Sequence, residues 1–135
     1  MPLNRFVEAQ SPVYSRALAE LRAGRKQSHW MWFVFPQIAG LGSSPMAQRY
    51  AIQSLDEAKD YLAHALLGRR LAECTAAVLA HPDSTVHAIF GSPDDMKFHS
   101  SMTLFHRADP RDETFERALD VFFDGKEDQA TVTRI

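Results

Sequence analysis

This sequence contains a single cysteine, Cys74, so no internal disulfide bond can form. Folds held together by disulfide bonds are excluded, and a reducing compartment is expected. The longest apolar run, residues 30–35, is much shorter than the roughly 20 residues that a membrane-spanning helix needs. Met1 is followed by polar residues, without the apolar core of a signal peptide. These absences predict a cytoplasmic protein that does not contact a membrane.

The chain also lacks a surplus of basic residues. It carries 15 lysines and arginines against 17 aspartates and glutamates, for a net charge of −2. Proteins that bind nucleic acid through phosphate neutralisation usually show a basic excess. No nucleic-acid partner is therefore expected, although residues 1–50 hold six basic and only two acidic residues.

The length of 135 residues and the apolar content of 45% are typical of one folded domain covering residues 1–135. Apolar residues recur with helical period between proline and glycine residues, and no set of alternating strands emerges. The sequence predicts an all-α bundle of six or seven helices. The polar segment 126–135 is predicted to be a frayed C-terminal tail.

Helix starts follow from capping patterns. Ser44-Pro45 and Ser92-Pro93 each predict an N-cap followed by proline at the first helical position. Ser54 and Glu57 form a capping-box pattern. Gly68 is expected to interrupt the helical pattern. Further starts are predicted at Ser84 and at Asp109-Pro110.

One block, residues 28–37 with the sequence SHWMWFVFPQ, holds both tryptophans of the chain. A short helix ending before Pro36 is expected here. His29 is a candidate acid-base group. Trp30 and Trp32 can stack on a planar ring while Gln37 bonds its edge. The alternative is that the histidine bonds backbone and the tryptophans fill the core.

A second block begins at Asp94. On a helix, Asp94, Lys97 and Ser101 share one arc with two phenylalanines, and Thr103 follows nearby. A lysine between an aspartate and a hydroxyl is suited to act as a poised acid or to hold a phosphate or carboxylate. The alternative is a simple i, i+3 ion pair. Asp94 and Lys97 join His29 as catalytic candidates, and Ser101 and Thr103 are candidate ligand-binding residues.

No metal site is predicted. Asp95, His99 and His106 lie on a neighbouring face of the same helix, but the chain has no HExxH or CxxC pattern. Cys74 lies on an apolar helical stripe and is interpreted as a buried hydrophobic residue rather than a nucleophile. The sequence indicates no particular cofactor and no oligomeric state.

Two blocks of the chain resemble the signature of a bacterial family called "domain of unknown function 1810", whose members are sometimes labelled calpastatin. The resembling segments are residues 24–37, 49–52, 57–58, 61–62, 67–68, 89–97 and 100–105. The resemblance implies a small, mainly helical, stand-alone domain and supplies no activity, cofactor or catalytic residue. The sequence departs from the family pattern at Ala65, where proline is common, and at His99. The calpastatin label does not fit, because that inhibitor is disordered and repetitive.

Two functions remain open from the sequence. The first is a domain that binds a nucleotide-like or phosphorylated small molecule in a pocket between the two blocks, with nucleotide or ADP-ribose chemistry conceivable. The second is a protein–protein interaction module without catalytic activity, which uses exposed aromatic residues and an acidic last helix. A third interpretation makes both blocks core and leaves function to the loops.

Overall fold

The structure is a computed structural model that describes residues 3–135. Within this range the chain forms ten α-helices and no β-strand. The helices are α1 (Asn4–Gln10), α2 (Tyr14–Arg22), α3 (Met31–Val34), α4 (Pro45–Arg49), α5 (Leu55–Ala63), α6 (Ala65–Leu79), α7 (Val86–Phe90), α8 (Asp94–Ala108), α9 (Glu113–Phe123) and α10 (Gln129–Val132).

The prediction of an all-α fold is confirmed. The structure has more helices than the six or seven expected, and α1 and α10 were not predicted. α1 has seven residues and α10 has four, and neither begins with a side-chain cap. Such elements carry too few turns to show a helical period in the sequence.

The central helix is α8, which packs against α5, α7, α9 and α10. Its side chains from Ser100 to Phe105 are all buried. On the other side of the core, α6 packs against α2, α5 and α9. Although α8 is enclosed along its middle, its surface around exposed Met96, near the N-terminal end, is left to form a cavity wall.

The aromatic block contributes mainly to the core. Trp30, Phe33 and Phe35 are buried, and the ring of Phe35 meets that of Phe98 edge-on at 5.1 Å between centroids. Phe98 in turn stacks on Phe90 at 4.8 Å. Edge-on and offset stacked pairs are the favourable arrangements of aromatic rings. These contacts fix the position of α3 relative to α8.

Several predicted helix boundaries are correct. Ser44 caps α4 by accepting a hydrogen bond from the Ala47 N–H at 3.1 Å, and Pro45 is the first helical residue. Ser54 caps α5 through the Glu57 N–H at 3.1 Å. The capping box was wrong in one detail, because Glu57 accepts from the Gln53 N–H at 3.0 Å and not from Ser54.

Gly68 does not interrupt a helix, contrary to the expectation. It lies inside α6, and the break between α5 and α6 falls at His64, whose Nδ1 accepts from the Leu66 and Leu67 N–H groups at 3.2 Å. A Cβ atom at position 68 would lie 2.2 Å from the carbonyl oxygen of Leu62. Glycine is therefore required by close backbone packing at the α5–α6 junction.

Three other predicted starts are displaced. α7 is capped by Thr85 rather than Ser84, since the Thr85 hydroxyl accepts from the Ala88 N–H at 3.0 Å. α8 begins at Asp94 after Pro93, and Ser92 is not its cap; the Ser92–Pro93 peptide bond is cis. α9 begins after Asp112, which accepts from the Thr114 N–H at 2.9 Å. Several residues in each stretch have capping chemistry, and tertiary packing selects among them.

The C-terminal segment forms α10, which packs on α8 with Thr131 buried. The predicted fraying of residues 126–135 concerns motion and stays a prediction. In the loop before α4, Ile38 makes an isolated parallel bridge with Ile52. None of the helices in the described part of the chain has the length and apolar character needed to cross a membrane.

Candidate functional site

The two blocks singled out in the sequence meet in the folded chain. The ammonium of Lys97 on α8 lies 5.1 Å from the centroid of the Trp32 ring on α3. The ammonium of Lys26 lies at the same distance from the Trp30 ring. Cations at this distance from an indole face are attracted by its quadrupole. Each tryptophan of the first block is thus paired with a lysine.

Asp94, the first residue of α8, is shared by these two lysines. Its Oδ2 lies 2.9 Å from Lys26 Nζ, and its Oδ1 lies 3.5 Å from Lys97 Nζ. The Lys26 side chain is 8% exposed and that of Lys97 is 24% exposed. Together, the two lysines and the one carboxylate carry a net charge of +1. The uncompensated positive charge lies at Lys97, because Lys97 has the longer ion pair with Asp94 and the more exposed side chain.

Glu20 on α2 anchors the turn that precedes α3. Its carboxylate accepts hydrogen bonds from the backbone N–H groups of Gln27 and Ser28, from the Ser28 hydroxyl and from the Trp30 indole N–H. Burial alone would raise the pKa of Glu20, but these hydrogen bonds outweigh it and lower the pKa to about 2. The carboxylate is therefore ionised at neutral pH and holds Trp30 in place.

The largest cavity near these groups has a volume of about 480 Å³, and we call it the main cavity. One wall consists of Gln37, the loop residues from Leu41 to Ser44, and Ala47 on α4. The opposite wall is the face of α8 that carries Met96, Lys97, His99 and Ser100. Asp128 and Ala130, around the start of α10, complete the lining.

A smaller cavity of about 260 Å³, the side cavity, lies next to it. The two cavities share Gln37, Gly42 and Ala47 in their linings. Trp32 lines the side cavity, together with Tyr50 and the loop residues around Gly40. Gln37 therefore stands at the junction, with Trp32 on one side and Lys97 on the other. Its amide offers one acceptor oxygen and two donor hydrogens.

Asp128 is held rigidly at the α10 side of the main cavity. Its Oδ2 accepts from the Ser100 hydroxyl at 2.7 Å and from the Thr131 hydroxyl at 2.6 Å. Its backbone N–H donates to the Thr103 hydroxyl at 2.9 Å. Burial would raise the pKa of Asp128, but the hydroxyl donors Thr131 and Ser100 outweigh it and hold the pKa below its ordinary value.

The residues proposed from the first block are not all brought together. Trp32 and Gln37 line the cavities. His29 is exposed and lines neither cavity. Trp30 is 1% exposed, and its N–H is committed to Glu20. Trp30 is thus placed as a core residue, in agreement with the alternative interpretation of the block.

The residues proposed from the second block are also divided. Lys97 lines the main cavity and Asp94 contacts Lys97 directly. Ser101 is fully buried, and its hydroxyl has no hydrogen-bond partner in the described part of the chain. Thr103 is buried as well; its hydroxyl donates to the His99 carbonyl at 2.9 Å and receives the Asp128 N–H. Thr103 therefore acts on the cavity only by positioning Asp128.

The Asp and His residues on the neighbouring face of α8 have separate partners. His99 stacks on Phe123, and its Nε2 donates to the Lys126 carbonyl at 2.8 Å. Asp95 contacts His87 at 3.4 Å. Across residues 3–135, no three His, Cys, Asp or Glu side chains gather as a metal-binding group. Cys74 is buried, and burial raises the pKa of its thiol to about 12.

Sequence reasoning missed three residues of this region. Lys26 gave no signal of its own, because the helix dipole alone explains a cation just after the end of α2, but its ammonium binds Asp94. Glu20 gave no signal, because its four donors lie in a turn without periodic pattern. Asp128 lies in a polar stretch that was interpreted as a tail. The one available clue was Asp128 followed by Thr131, a local capping spacing.

Comparisons with known proteins fit this architecture. The structure superimposes on the crystal structure of the conserved hypothetical protein Rv1873 from Mycobacterium tuberculosis with a TM-score of 0.95. The two chains are 56% identical over 97% of this chain and 94% of that one. A comparison with curated proteins gives no match. Residues 1–135 match the family described as "Protein of unknown function (DUF1810)", as the resemblance of the two blocks implied, and the chain belongs to this family.

Proposed function

We propose that this protein binds a small anionic ligand, nucleotide-like or phosphorylated, in the main cavity. Lys97 is the counterion for the anionic group, and Gln37 bonds the ligand at the junction with the side cavity. The proposal retains Lys97, Gln37 and Trp32 as ligand-binding residues. Asp94 orients Lys97, while His29, Trp30, Ser101 and Thr103 have no direct contact with the ligand.

The main support for the proposal is that Asp94 contacts Lys26 more closely than it contacts Lys97. Lys26 takes the shorter contact at 2.9 Å and is nearly buried, so it neutralises the carboxylate. Lys97 lines the main cavity, and its charge is compensated less, because its ammonium lies 3.5 Å from the carboxylate. An ammonium has three donor hydrogens, and one carboxylate oxygen does not satisfy all of them. An incoming phosphate or carboxylate supplies the missing acceptors.

The size and lining of the main cavity support the same conclusion. About 480 Å³ falls within the range of small-molecule sites, which usually combine apolar walls with a few polar groups. Leu41, Pro93 and Met96 supply apolar surface, and Lys97 supplies the cation. A chain with a net charge of −2 does not attract anions as a whole, so specificity for an anion has to come from this local charge.

The proposal is tested by thermal unfolding of the wild type with inorganic phosphate, ribose 5-phosphate or AMP. A ligand at a hundred times its dissociation constant adds about 2.7 kcal/mol to the free energy of unfolding, which is several degrees for a domain of this size. The Lys97→Met variant is expected to lose this shift. Lys59→Met is the matched control, because Lys59 is exposed on α5 and lines neither cavity.

Equal shifts in Lys97→Met and in the wild type would overturn the assignment of Lys97. No shift of the wild type with any of the three probes would contradict the ligand-binding function and favour the protein-interaction alternative. In the described residues, three large apolar side chains are exposed, namely Met96, Val121 and Ile135. Of these, Met96 at 68% exposure lines the main cavity, so it is available to a ligand as well as to a protein.

A further inference from the structure

We infer that Asp128 is a second ligand anchor in the main cavity and that its carboxylate accepts hydrogen bonds from hydroxyl groups of the ligand. The ligand class is then a sugar phosphate ester, with the phosphate at Lys97 and sugar hydroxyls at Asp128. This inference rests on the proposed function and adds the identity of the group at the other end of the ligand.

The free acceptor capacity of Asp128 points to a donor in the cavity. Oδ2 already accepts from Ser100 and Thr131. The carboxylate also accepts from the Thr131 N–H, and Asp128 lines the main cavity. An ionised carboxylate has about four acceptor positions, so one position is left for a donor in the cavity. A sugar hydroxyl supplies such a donor.

The carboxylate is also positioned in advance of binding. Its Oδ2 is fixed by two hydroxyl donors, and the Asp128 N–H is fixed by Thr103. Both Ser100 and Thr103 belong to α8, the most enclosed helix of the fold. The anchor therefore moves with the same helix that carries Lys97, and little conformational freedom is lost when a ligand bridges the two.

The two anchors lie along one helix. The Lys97 ammonium lies beside Asp94, and the Asp128 carboxylate lies beside Ser100. Lys97 and Ser100 are three residues apart on α8, which corresponds to about 4.5 Å of axial rise, and the Lys97 side chain extends further towards Asp94. A pentose phosphate carries a phosphate for Lys97 and hydroxyls for Asp128 at opposite ends, whereas inorganic phosphate has no neutral hydroxyl end for Asp128. Met96 and Leu41 supply apolar contact for the carbon skeleton between them.

The charges fix the orientation of such a ligand. A phosphate next to Asp128 would be repelled, because both groups are anions in a partly buried space. Lys97 attracts the phosphate, and the carboxylate accepts from neutral hydroxyls. The opposite orientation would leave hydroxyls at Lys97 and a pair of like charges at Asp128. The arrangement therefore discriminates against ligands with phosphate at both ends.

The test compares ribose 5-phosphate with 2-deoxyribose 5-phosphate by isothermal titration calorimetry. The wild type is expected to bind the ribose compound about tenfold more tightly, since one hydrogen bond to a charged acceptor is lost in the deoxy compound. Asp128→Asn is expected to remove this preference. Its amide oxygen can still accept from Ser100 and Thr131, while its NH₂ group replaces the acceptor Oδ1. Asp56→Asn, an exposed position on α5, is the control.

Two results separate failure of this inference from failure of the proposed function. Equal affinity of the wild type for both sugars, with binding lost in Lys97→Met, would overturn the role of Asp128 alone. A preference retained in Asp128→Asn would do the same. No binding of either sugar phosphate, together with a thermal shift by inorganic phosphate or AMP, would also overturn this inference alone, and no response to any of these probes would overturn both proposals. The comparison of two ligands on one unmodified protein does not depend on the folding of any variant.

Discussion

The ammonium of Lys97 lies 5.1 Å from the centroid of the Trp32 ring, so the second sequence block touches the first at the edge of the main cavity. This contact brings an accessible cation and an aromatic side chain together beside Gln37. Asp94 positions Lys97 through an ion pair. Glu20 positions the start of α3, which carries Trp32, by accepting a hydrogen bond from the Trp30 indole N–H.

The Glu20→Gln substitution is expected to lower the free energy of unfolding at pH 7 by about 1.5–3 kcal/mol, the range for hydrogen bonds to a charged group. The amide retains one acceptor oxygen but loses the charge that its donors stabilise. Chemical denaturation measures the effect. Glu8→Gln, at an exposed position on α1, is the control and is expected to change stability little. An equal loss in both variants would contradict the role of Glu20.

The same variant has a defined pH dependence. Because the folded pKa of Glu20 lies at about 2, below its ordinary value of 4.5, its stabilising contribution is complete above pH 4.5. It is lost as the pH falls from 4.5 towards 2. The difference in stability between wild type and Glu20→Gln is therefore expected to shrink over that interval. A difference that is constant from pH 7 down to the acid limit of folding would contradict the account.

Gly68→Ala is expected to destabilise the fold, although alanine is ordinarily more favourable than glycine in a helix interior by about 1 kcal/mol. The added Cβ would lie 2.2 Å from the Leu62 carbonyl oxygen, and backbone has to move to relieve the contact. A net loss of about 1–3 kcal/mol is expected. Ala76→Gly, at an exposed position of the same helix, measures the ordinary propensity. A gain in stability for Gly68→Ala would contradict the packing described for the α5–α6 junction.

Gln10→Leu is expected to cost about 2–4 kcal/mol, because it leaves two buried acceptors without their donor. Gln10 is 1% exposed, and its Nε2 donates to the Phe33 carbonyl at 2.6 Å and to the Tyr61 hydroxyl at 2.9 Å. The bond to Phe33 ties α1 to α3. Thermal unfolding measures the loss, with Gln27→Leu at an exposed position as control. A loss below 0.5 kcal/mol, the usual size of a surface effect, would contradict this interpretation.

The fold class and the helix starts with strong local chemistry were predictable from the sequence. Ser44-Pro45 is one such start, because an oxygen acceptor followed by proline satisfies the first turn by itself. Gly68 was misinterpreted, because its role depends on the approach of the Leu62 carbonyl from the preceding helix. A contact of that kind is set by packing and leaves no mark on helical period.

The candidate site was predictable in part for a similar reason. Lys97 and Trp32 stood out because each lies in a block that helix patterning explains poorly. Lys26 and Asp128 did not, since each has a local interpretation, as a helix-end cation and as part of a polar tail. Their partners Asp94 and Ser100 are distant in the chain. Only the fold shows that one aspartate serves two lysines and that the tail segment returns to α8.

The most direct test of the central claim, that Lys97 and Trp32 form one side of an anion site, is a fluorescence titration with ribose 5-phosphate. In Trp30→Phe, Trp32 is the only tryptophan left, and its emission is expected to change saturably as the Lys97 ammonium turns to the phosphate. Trp32→Phe, which retains buried Trp30, is expected to show no change. The change should vanish in Trp30→Phe/Lys97→Met and persist in Trp30→Phe/Lys59→Met. An unchanged Trp32 emission, or an equal change with Lys97 removed, would contradict the account.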